Sequence, residues 1–231
     1  MPKPKRQEFH SAPRSFTQPA NRTQVLSKAG IAWEAIGTIQ KNTDTYVLTF
    51  GQFNLIDVLC VLLDQTGPAS VDISTWTAAD AHLAQTAELI ESCDITDFRM
   101  VIDYSFKNRQ PEYLEHMRKL FGPDCIRELK SHAKFLIIRS ASHDIVVRTS
   151  MNLNGNPRLE NVEISESADF ANWMTNIVDQ IFGELEPMKN YSNPPVMSDI
   201  PDTSPWIEVT AEPLKRKTLN EASATHTLKK L

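Results

Sequence analysis

From Tyr46 onward, apolar segments of strand length alternate with segments of helical periodicity, and this alternation constrains the fold more than any other feature. The strand-like segments lie at about residues 46–50, 70–76, 98–103, 125–129, 133–138, 145–149 and 161–165. Helical spacing follows Asn54, Asp80 and Ser167, and it also begins at Pro111, a residue suited to a first helical turn. The pattern predicts an α/β sandwich in which a mixed sheet is flanked by helices.

The two ends of the 231-residue chain lack this periodicity. Residues 1–22 combine four prolines with basic side chains, which predicts a flexible basic arm. Residues 187–231 are rich in Pro, Ser, Asn and Thr, which predicts a flexible tail and leaves residues 23–186 as the folded domain. At the start of that domain, a first helix is predicted by apolar residues at helical spacing: Val25, Ala29, Ala32, Ile36 and Ile39.

The formal net charge of −5 is distributed unevenly along the chain. Residues 1–28 carry six Lys or Arg and one acid, whereas residues 29–186 carry 12 basic and 23 acidic residues. Such an acidic domain argues against broad electrostatic binding of nucleic acid. Within residues 125–158, however, six basic side chains outnumber two acidic ones, which predicts a local anion site. The candidates for nucleic-acid contacts there are Lys130, Arg139, Arg148 and Arg158.

The composition also indicates which cellular compartment and which cofactors to expect. No apolar run reaches transmembrane length and the first residues lack the apolar core of a secretion signal, so we expect a cytoplasmic protein without a membrane partner. Cys60, Cys93 and Cys125 are odd in number and far apart, which is typical of reduced thiols. No metal-binding spacing is visible, and we expect neither a metal nor a cofactor.

Polar residues of complementary chemistry recur on three consecutive strand-like segments. His132 and Lys134 alternate along one segment, so a strand would place both on one face, and the same parity relates Ser150 to Asn152. Glu163 lies on the third segment. Each residue also has an ordinary interpretation, as a solvent-facing position on a half-buried strand, a turn residue, or one of 29 acids.

The order His132-x-Lys134, Ser150-x-Asn152 and Glu163 resembles the signature of the phospholipase D-like superfamily. The resemblance implies the phospholipase D-like fold and a reaction in which His132 attacks phosphorus to form a phosphohistidine. It also implies that Lys134, Ser150 and Asn152 bind the phosphate, while Glu163 orients His132. Because the chain has one such set, the resemblance implies a homodimer in which two copies of His132 share one metal-free site.

Two positions differ from the signature. Arg139 stands where the motif has Asp, and Thr149 stands where it has Gly. The segment between Lys134 and Ser150 is also longer than in the signature, which predicts an extended hairpin through residues 140–144. Asp144, within that hairpin, is a candidate replacement for the missing Asp.

These features favour a metal-independent phosphodiesterase, a nuclease acting on DNA or RNA. The alternative is a degenerate phospholipase D-like module that binds nucleic acid or a protein partner without turnover, and the two substitutions motivate it. Action on phospholipids is disfavoured because no basic amphipathic helix is visible. Trp76 and Tyr104 lie near the ends of predicted strands, where aromatic residues either pack or line a groove.

Overall fold

The computed structural model describes residues 20–26, 31–92, 94–155 and 157–187. Within these residues, one sheet of eight strands forms the centre of the molecule. The strands are β1 (Asn21–Leu26), β2 (Thr43–Thr49), β3 (Ala69–Thr75), β4 (Ile95–Asp103), β5 (Ile126–Leu129), β6 (Phe135–Ser140), β7 (Asp144–Thr149) and β8 (Glu160–Glu166). Most of the predicted arm and nearly all of the predicted tail lie outside the described residues.

The strands follow the order β1-β2-β8-β7-β6-β3-β4-β5. The five strands from β2 to β3 in this order pair antiparallel with their neighbours. At the two sides of the sheet, β1 pairs parallel with β2, and β3, β4 and β5 pair parallel in turn. The predicted mixed sheet is therefore confirmed.

Helices cover both faces of the sheet. In the described residues they are α1 (Ala32–Ile36), α2 (Leu55–Thr66), α3 (Asp80–Glu91), α4 (Phe106–Arg109), α5 (Pro111–Phe121) and α6 (Ala168–Glu184). Ile137 of β6 packs against Val178 of α6. Its neighbour Leu136 belongs to the opposite core, with Leu59 of α2 and Met117 of α5. Because successive strand residues point to opposite faces, β6 joins the two cores of an α/β sandwich.

The helix starts have local causes that the sequence reveals. The Asn54 side chain caps α2 by accepting from the backbone amides of Ile56 and Asp57 at 2.8 and 3.1 Å. The Asp57 carboxylate in turn accepts from the Asn54 backbone amide. This capping box fixes the first turn of α2. The Ser167 hydroxyl accepts from the Phe170 amide at 3.2 Å and caps α6. Both predicted helix starts are confirmed.

Two local predictions need correction. The helix predicted from Val25 onward is confirmed only for Ala32–Ile36, which form α1, whereas Val25 lies in the strand β1, which pairs in register with β2 from Asn21 to Leu26. Backbone hydrogen bonds to the edge of β2 outweigh the helical spacing of a few apolar residues. The second error concerns β6, which begins at Phe135 rather than Ala133, so that His132 and Lys134 precede the strand.

Candidate active site

The residues of the motif meet where β6 begins and β7 ends. Because the two strands are antiparallel, the segment before β6 lies beside the segment after β7, and the Thr149 amide donates to the Lys134 carbonyl at 3.2 Å. His132, Lys134, Ser150 and Asn152 line one open cavity of about 770 Å³. The structure therefore brings together four residues that the sequence separates by up to 20 positions.

Side chains of the central strands hold the segment that carries His132. Asp103, at the end of β4, accepts from the Ser131 amide at 3.1 Å. Ser74, near the end of β3, donates to the Ala133 carbonyl at 2.9 Å. These bonds replace part of the strand ladder, which explains why β6 begins two residues later than predicted. The segment is thus fixed without being a strand.

His132 and Lys134 form an adjacent pair. The Lys134 ammonium lies 3.4 Å from each ring nitrogen of His132 and donates to the His132 carbonyl at 3.1 Å. Partial burial lowers the pKa of Lys134, while the negative charge of Glu160 acts in the opposite direction. The His132 side chain is exposed. An imidazole and an ammonium group therefore stand side by side at an open surface.

Ser150 and Asn152 occupy the turn after β7. The Ser150 hydroxyl bonds to the Glu160 carboxylate and accepts from the Asn161 amide at 3.0 Å. Asn152 Oδ1 accepts from the Trp76 amide at 3.3 Å. Since that oxygen faces a backbone donor, the Asn152 amide group keeps its own N–H donors for a bound anion.

Glu163 is not brought to His132. It lies opposite Arg148 on the neighbouring strand, and the Arg148 guanidinium donates to its carboxylate at 2.8 Å. Both residues line a second cavity of about 430 Å³, together with Trp173 of α6. The expected role of Glu163 in orienting His132 has no contact to support it within the described residues of one chain.

Glu160 is the carboxylate that lines the His132 cavity, and it is not among the site residues predicted from the sequence. Its position follows from the β7–β8 register: Thr149 lies opposite Val162, so the residues after β7 meet the first residues of β8. The antiparallel pairing of β7 and β8 could have identified Glu160, because an acid at the start of β8 faces the turn that carries Ser150.

The predicted basic contacts divide into two groups. Arg148 and Arg158 line the His132 cavity, although each also faces a carboxylate, with Arg158 Nε 3.4 Å from Glu160. Lys130 is exposed after β5 and does not line the cavity, and Arg139 lies at the far end of β6. The structure therefore places two of the four predicted contacts at the site.

The hairpin at residues 140–144 lies at the opposite end of β6 from His132. Phe135 and Ser140 are five positions apart on the strand, a span of about 17 Å at the usual rise per residue. Arg139 Nε donates to Asp144 at 2.8 Å and its Nη2 to Asn172 of α6 at 2.7 Å. Asp144 therefore pairs with the residue that replaces the motif Asp, and it does not reach the site.

In the ranges that the structure describes, no group of three or more His, Cys, Asp or Glu side chains is arranged to hold a metal ion. No helix there has the length and apolar character needed to cross a bilayer. Cys60 and Cys125 are half-buried free thiols, and burial raises the pKa of both.

Comparison with known proteins gives similarities among solved structures alone. No protein-family model and no curated protein matches the chain. NucT from Helicobacter pylori is 17% identical over 63% of this chain and 99% of its own, with a TM-score of 0.44. Nuc from Salmonella typhimurium, a phospholipase D family member, is 16% identical over 63% and 99%, with a TM-score of 0.46. Polyphosphate kinase from Porphyromonas gingivalis is 18% identical over 76% of this chain and 29% of its own, with a TM-score of 0.46. At these levels of identity and superposition, the function has to be inferred from the residues around His132 themselves.

Proposed function

We propose that this protein is a phospholipase D-like phosphodiesterase, a nuclease that cleaves DNA or RNA without a metal ion. The observation that carries the proposal is the convergence of His132, Lys134, Ser150 and Asn152 on one open cavity. An imidazole nucleophile, an ammonium, a hydroxyl and an amide donor together match the needs of attack on an anionic phosphodiester. Arg148 and Arg158 on the same cavity wall add positive charge for the flanking phosphates.

In the proposed reaction, a neutral His132 nitrogen attacks phosphorus and forms the N–P bond. The P–O bond to the leaving strand breaks, and the leaving oxygen takes a proton from a second imidazolium. That second imidazole then removes a proton from water, whose oxygen attacks phosphorus and releases His132. Lys134, with donors from Ser150 and Asn152, neutralises the non-bridging oxygens in both steps.

The second imidazole comes from a second copy of the chain in this proposal. Among the described residues, His132 is the one histidine that lines the cavity. His132 is exposed and the cavity is open, so another copy can approach it face to face. A two-fold axis through the cavity would supply two imidazoles and two ammonium groups to one phosphate.

The test combines turnover with trapping of the intermediate. The purified full chain is incubated with a labelled oligonucleotide in excess chelator, and we expect cleavage together with a covalent label on His132 after rapid acid-free quenching. Retained cleavage by His132→Asn would contradict the assignment. Sedimentation of the active species as a monomer would contradict the shared site while leaving the cavity intact.

Glu160 favours one second candidate, a degenerate module that binds nucleic acid or protein without turnover. Its carboxylate lines the cavity and bonds to Ser150, so it places negative charge where the phosphate must bind. Binding of an oligonucleotide without cleavage or covalent label, unchanged by His132→Asn, would support this function instead.

A further inference from the structure

Trp76 contacts one lining residue from each of two cavities, His132 from the first and Arg109 from a second. On one side its indole meets the His132 ring edge to face, with the ring centroids 5.5 Å apart. On the other side, the guanidinium carbon of Arg109 lies 3.8 Å from the indole centroid. A guanidinium approaches this closely when its plane lies along the ring, because an end-on nitrogen would overlap the ring atoms. His132, Trp76 and Arg109 thus form a continuous series of contacts that begins at the candidate active site.

The plane of Arg109 is held from several directions. Its Nη2 donates to the Trp76 carbonyl at 2.6 Å, and its Nε donates to the Ser105 hydroxyl at 3.0 Å. The Asp103 carboxylate lies 3.9 Å from Nη2. Part of the cationic charge is therefore already balanced, while the side chain remains 29% exposed. The Phe106 ring centroid also lies 5.9 Å from the guanidinium carbon, so Arg109 offers a ligand the exposed part of a fixed, flat group more than a free charge.

The second cavity has the lining of a nucleobase site. It measures about 350 Å³ and is formed by Arg109, Gln110, Pro111, Glu112 and Tyr113. Gln110 Oε1 accepts from the Thr77 hydroxyl at 2.5 Å, so its amide nitrogen remains as the donor. The Glu112 carboxylate disfavours a phosphate and can accept from a base N–H. A planar cation, an aromatic ring and hydrogen-bonding groups together suit a flat heterocycle.

We propose that this second cavity binds the base of a nucleotide that flanks the phosphate at His132, stacked on the Arg109 guanidinium. The inference rests on the proposed function, and it makes single-stranded DNA or RNA the substrate class. A base inside a duplex is stacked on its neighbours and cannot enter such a cavity, whereas an unpaired base can turn out and stack on a protein plane. The guanidinium carbon lies within about 9 Å of the His132 ring, since both distances are measured to the same indole, and a neighbouring nucleotide can span this gap.

The test compares two single strands that carry the same number of phosphates. One is a homothymidine oligonucleotide, and the other is an abasic strand of equal length. Binding is measured by fluorescence anisotropy with the full chain carrying His132→Asn, which prevents turnover and keeps a planar side chain beside Trp76. Because one stacked base contributes about 1–3 kcal/mol, we expect the homothymidine strand to bind about 5- to 150-fold more tightly.

Substitution of Arg109 separates stacking from charge. Arg109→Lys keeps the positive charge and removes the plane, so the preference for the strand with bases is expected to fall close to one. The matched control is Lys119→Gln, which removes an exposed charge from α5 and should leave the preference unchanged. Equal binding of the two strands by the chain that retains Arg109 would overturn the proposal whether or not the Lys variant folds. A preference that survives in a folded Arg109→Lys variant would overturn it as well.

The failure of the base subsite and the failure of the proposed nuclease activity can be told apart. Cleavage by the wild-type chain without any preference for bases would contradict the base subsite and support the phosphodiesterase. A preference for bases without cleavage or covalent label would contradict the phosphodiesterase and support a single-strand binding site.

Discussion

The two ends of the β6–β7 pair use the same kinds of side chain for different purposes. At the hairpin end, Arg139 is paired with Asp144 at 2.8 Å, and Lys41 is paired with the buried Glu166 at 2.5 Å. At the other end, the nearest polar groups to the Lys134 ammonium that the structure records are the ring and carbonyl of His132. Cations matched by carboxylates stabilise the fold, whereas a cation left beside an exposed imidazole is available to an anion.

The two histidines on these ends provide the sharpest test of the comparison. His132→Asn should reduce phosphodiesterase activity at least about a thousandfold, because His132 is the nucleophile of the proposed reaction. His143→Asn is the matched control, since His143 lies in the hairpin 3.4 Å from Glu166. We expect it to keep near wild-type activity in the oligonucleotide cleavage assay. Equal losses in the two variants, with both folded, would contradict the division between the ends.

The two cations come next. Lys134→Met should lower the rate about a hundredfold while the unfolding midpoint stays within error, because the ammonium acts on the charge that develops on the phosphate. Arg139→Met should do the opposite, with activity retained and a loss of up to about 1 kcal/mol in the free energy of unfolding, since it removes the partly exposed bonds to Asp144 and Asn172. Rate measurements and urea unfolding on both variants check this. A stability loss in Lys134→Met as large as that in Arg139→Met would show that Lys134 is a structural cation.

The parts of the fold that depend on local chemistry could be predicted from the sequence. Asn54 and Ser167 cap helices within three residues of themselves, so their signals survive in the linear chain. Strands β2 to β8 were predictable because their apolar runs are buried and bounded by turn residues. β1 could not be predicted, because its place depends on an edge offered by β2 rather than on its own pattern.

The candidate site divides in the same way. The spacing of His132 and Lys134 identifies them as candidate site residues whether or not they lie on a strand. Glu160 depends on which residue of β8 faces the end of β7, and register is a tertiary property. The contact between Trp76 and Arg109 joins residues 33 positions apart through α4, a helix of four residues that leaves no periodic signal.

The acids along β8 extend the comparison, because Glu160 lies at the site end of this strand and Glu163 lies midway. Glu160→Gln should raise the rate about tenfold, since it removes a negative charge that lies beside the Ser150 hydroxyl and the Lys134 ammonium, where the phosphate must bind. Glu163→Gln should change the rate less, because its partner is Arg148. Steady-state rates of the two variants on one oligonucleotide decide the order. A loss of rate in Glu163→Gln would instead support the expectation that Glu163 orients His132. That contact would then form only in the assembled dimer.

Glu166, at the hairpin end of the same strand, should affect stability and its pH dependence. Burial by itself raises the pKa of this carboxyl, but the Lys41 ammonium and the Asn42 amide outweigh it, so the pKa is lowered in the folded chain. A lowered pKa means that the ionised carboxylate contributes stability above the ordinary carboxyl value. That contribution is lost as the pH falls through the folded pKa. Glu166→Gln should therefore cost about 1–2 kcal/mol at neutral pH and progressively less in acid, with cleavage activity retained throughout. Urea unfolding of the variant and the wild type across this range measures the gap, and a gap that widens in acid would mean that Glu166 is bound in its protonated form.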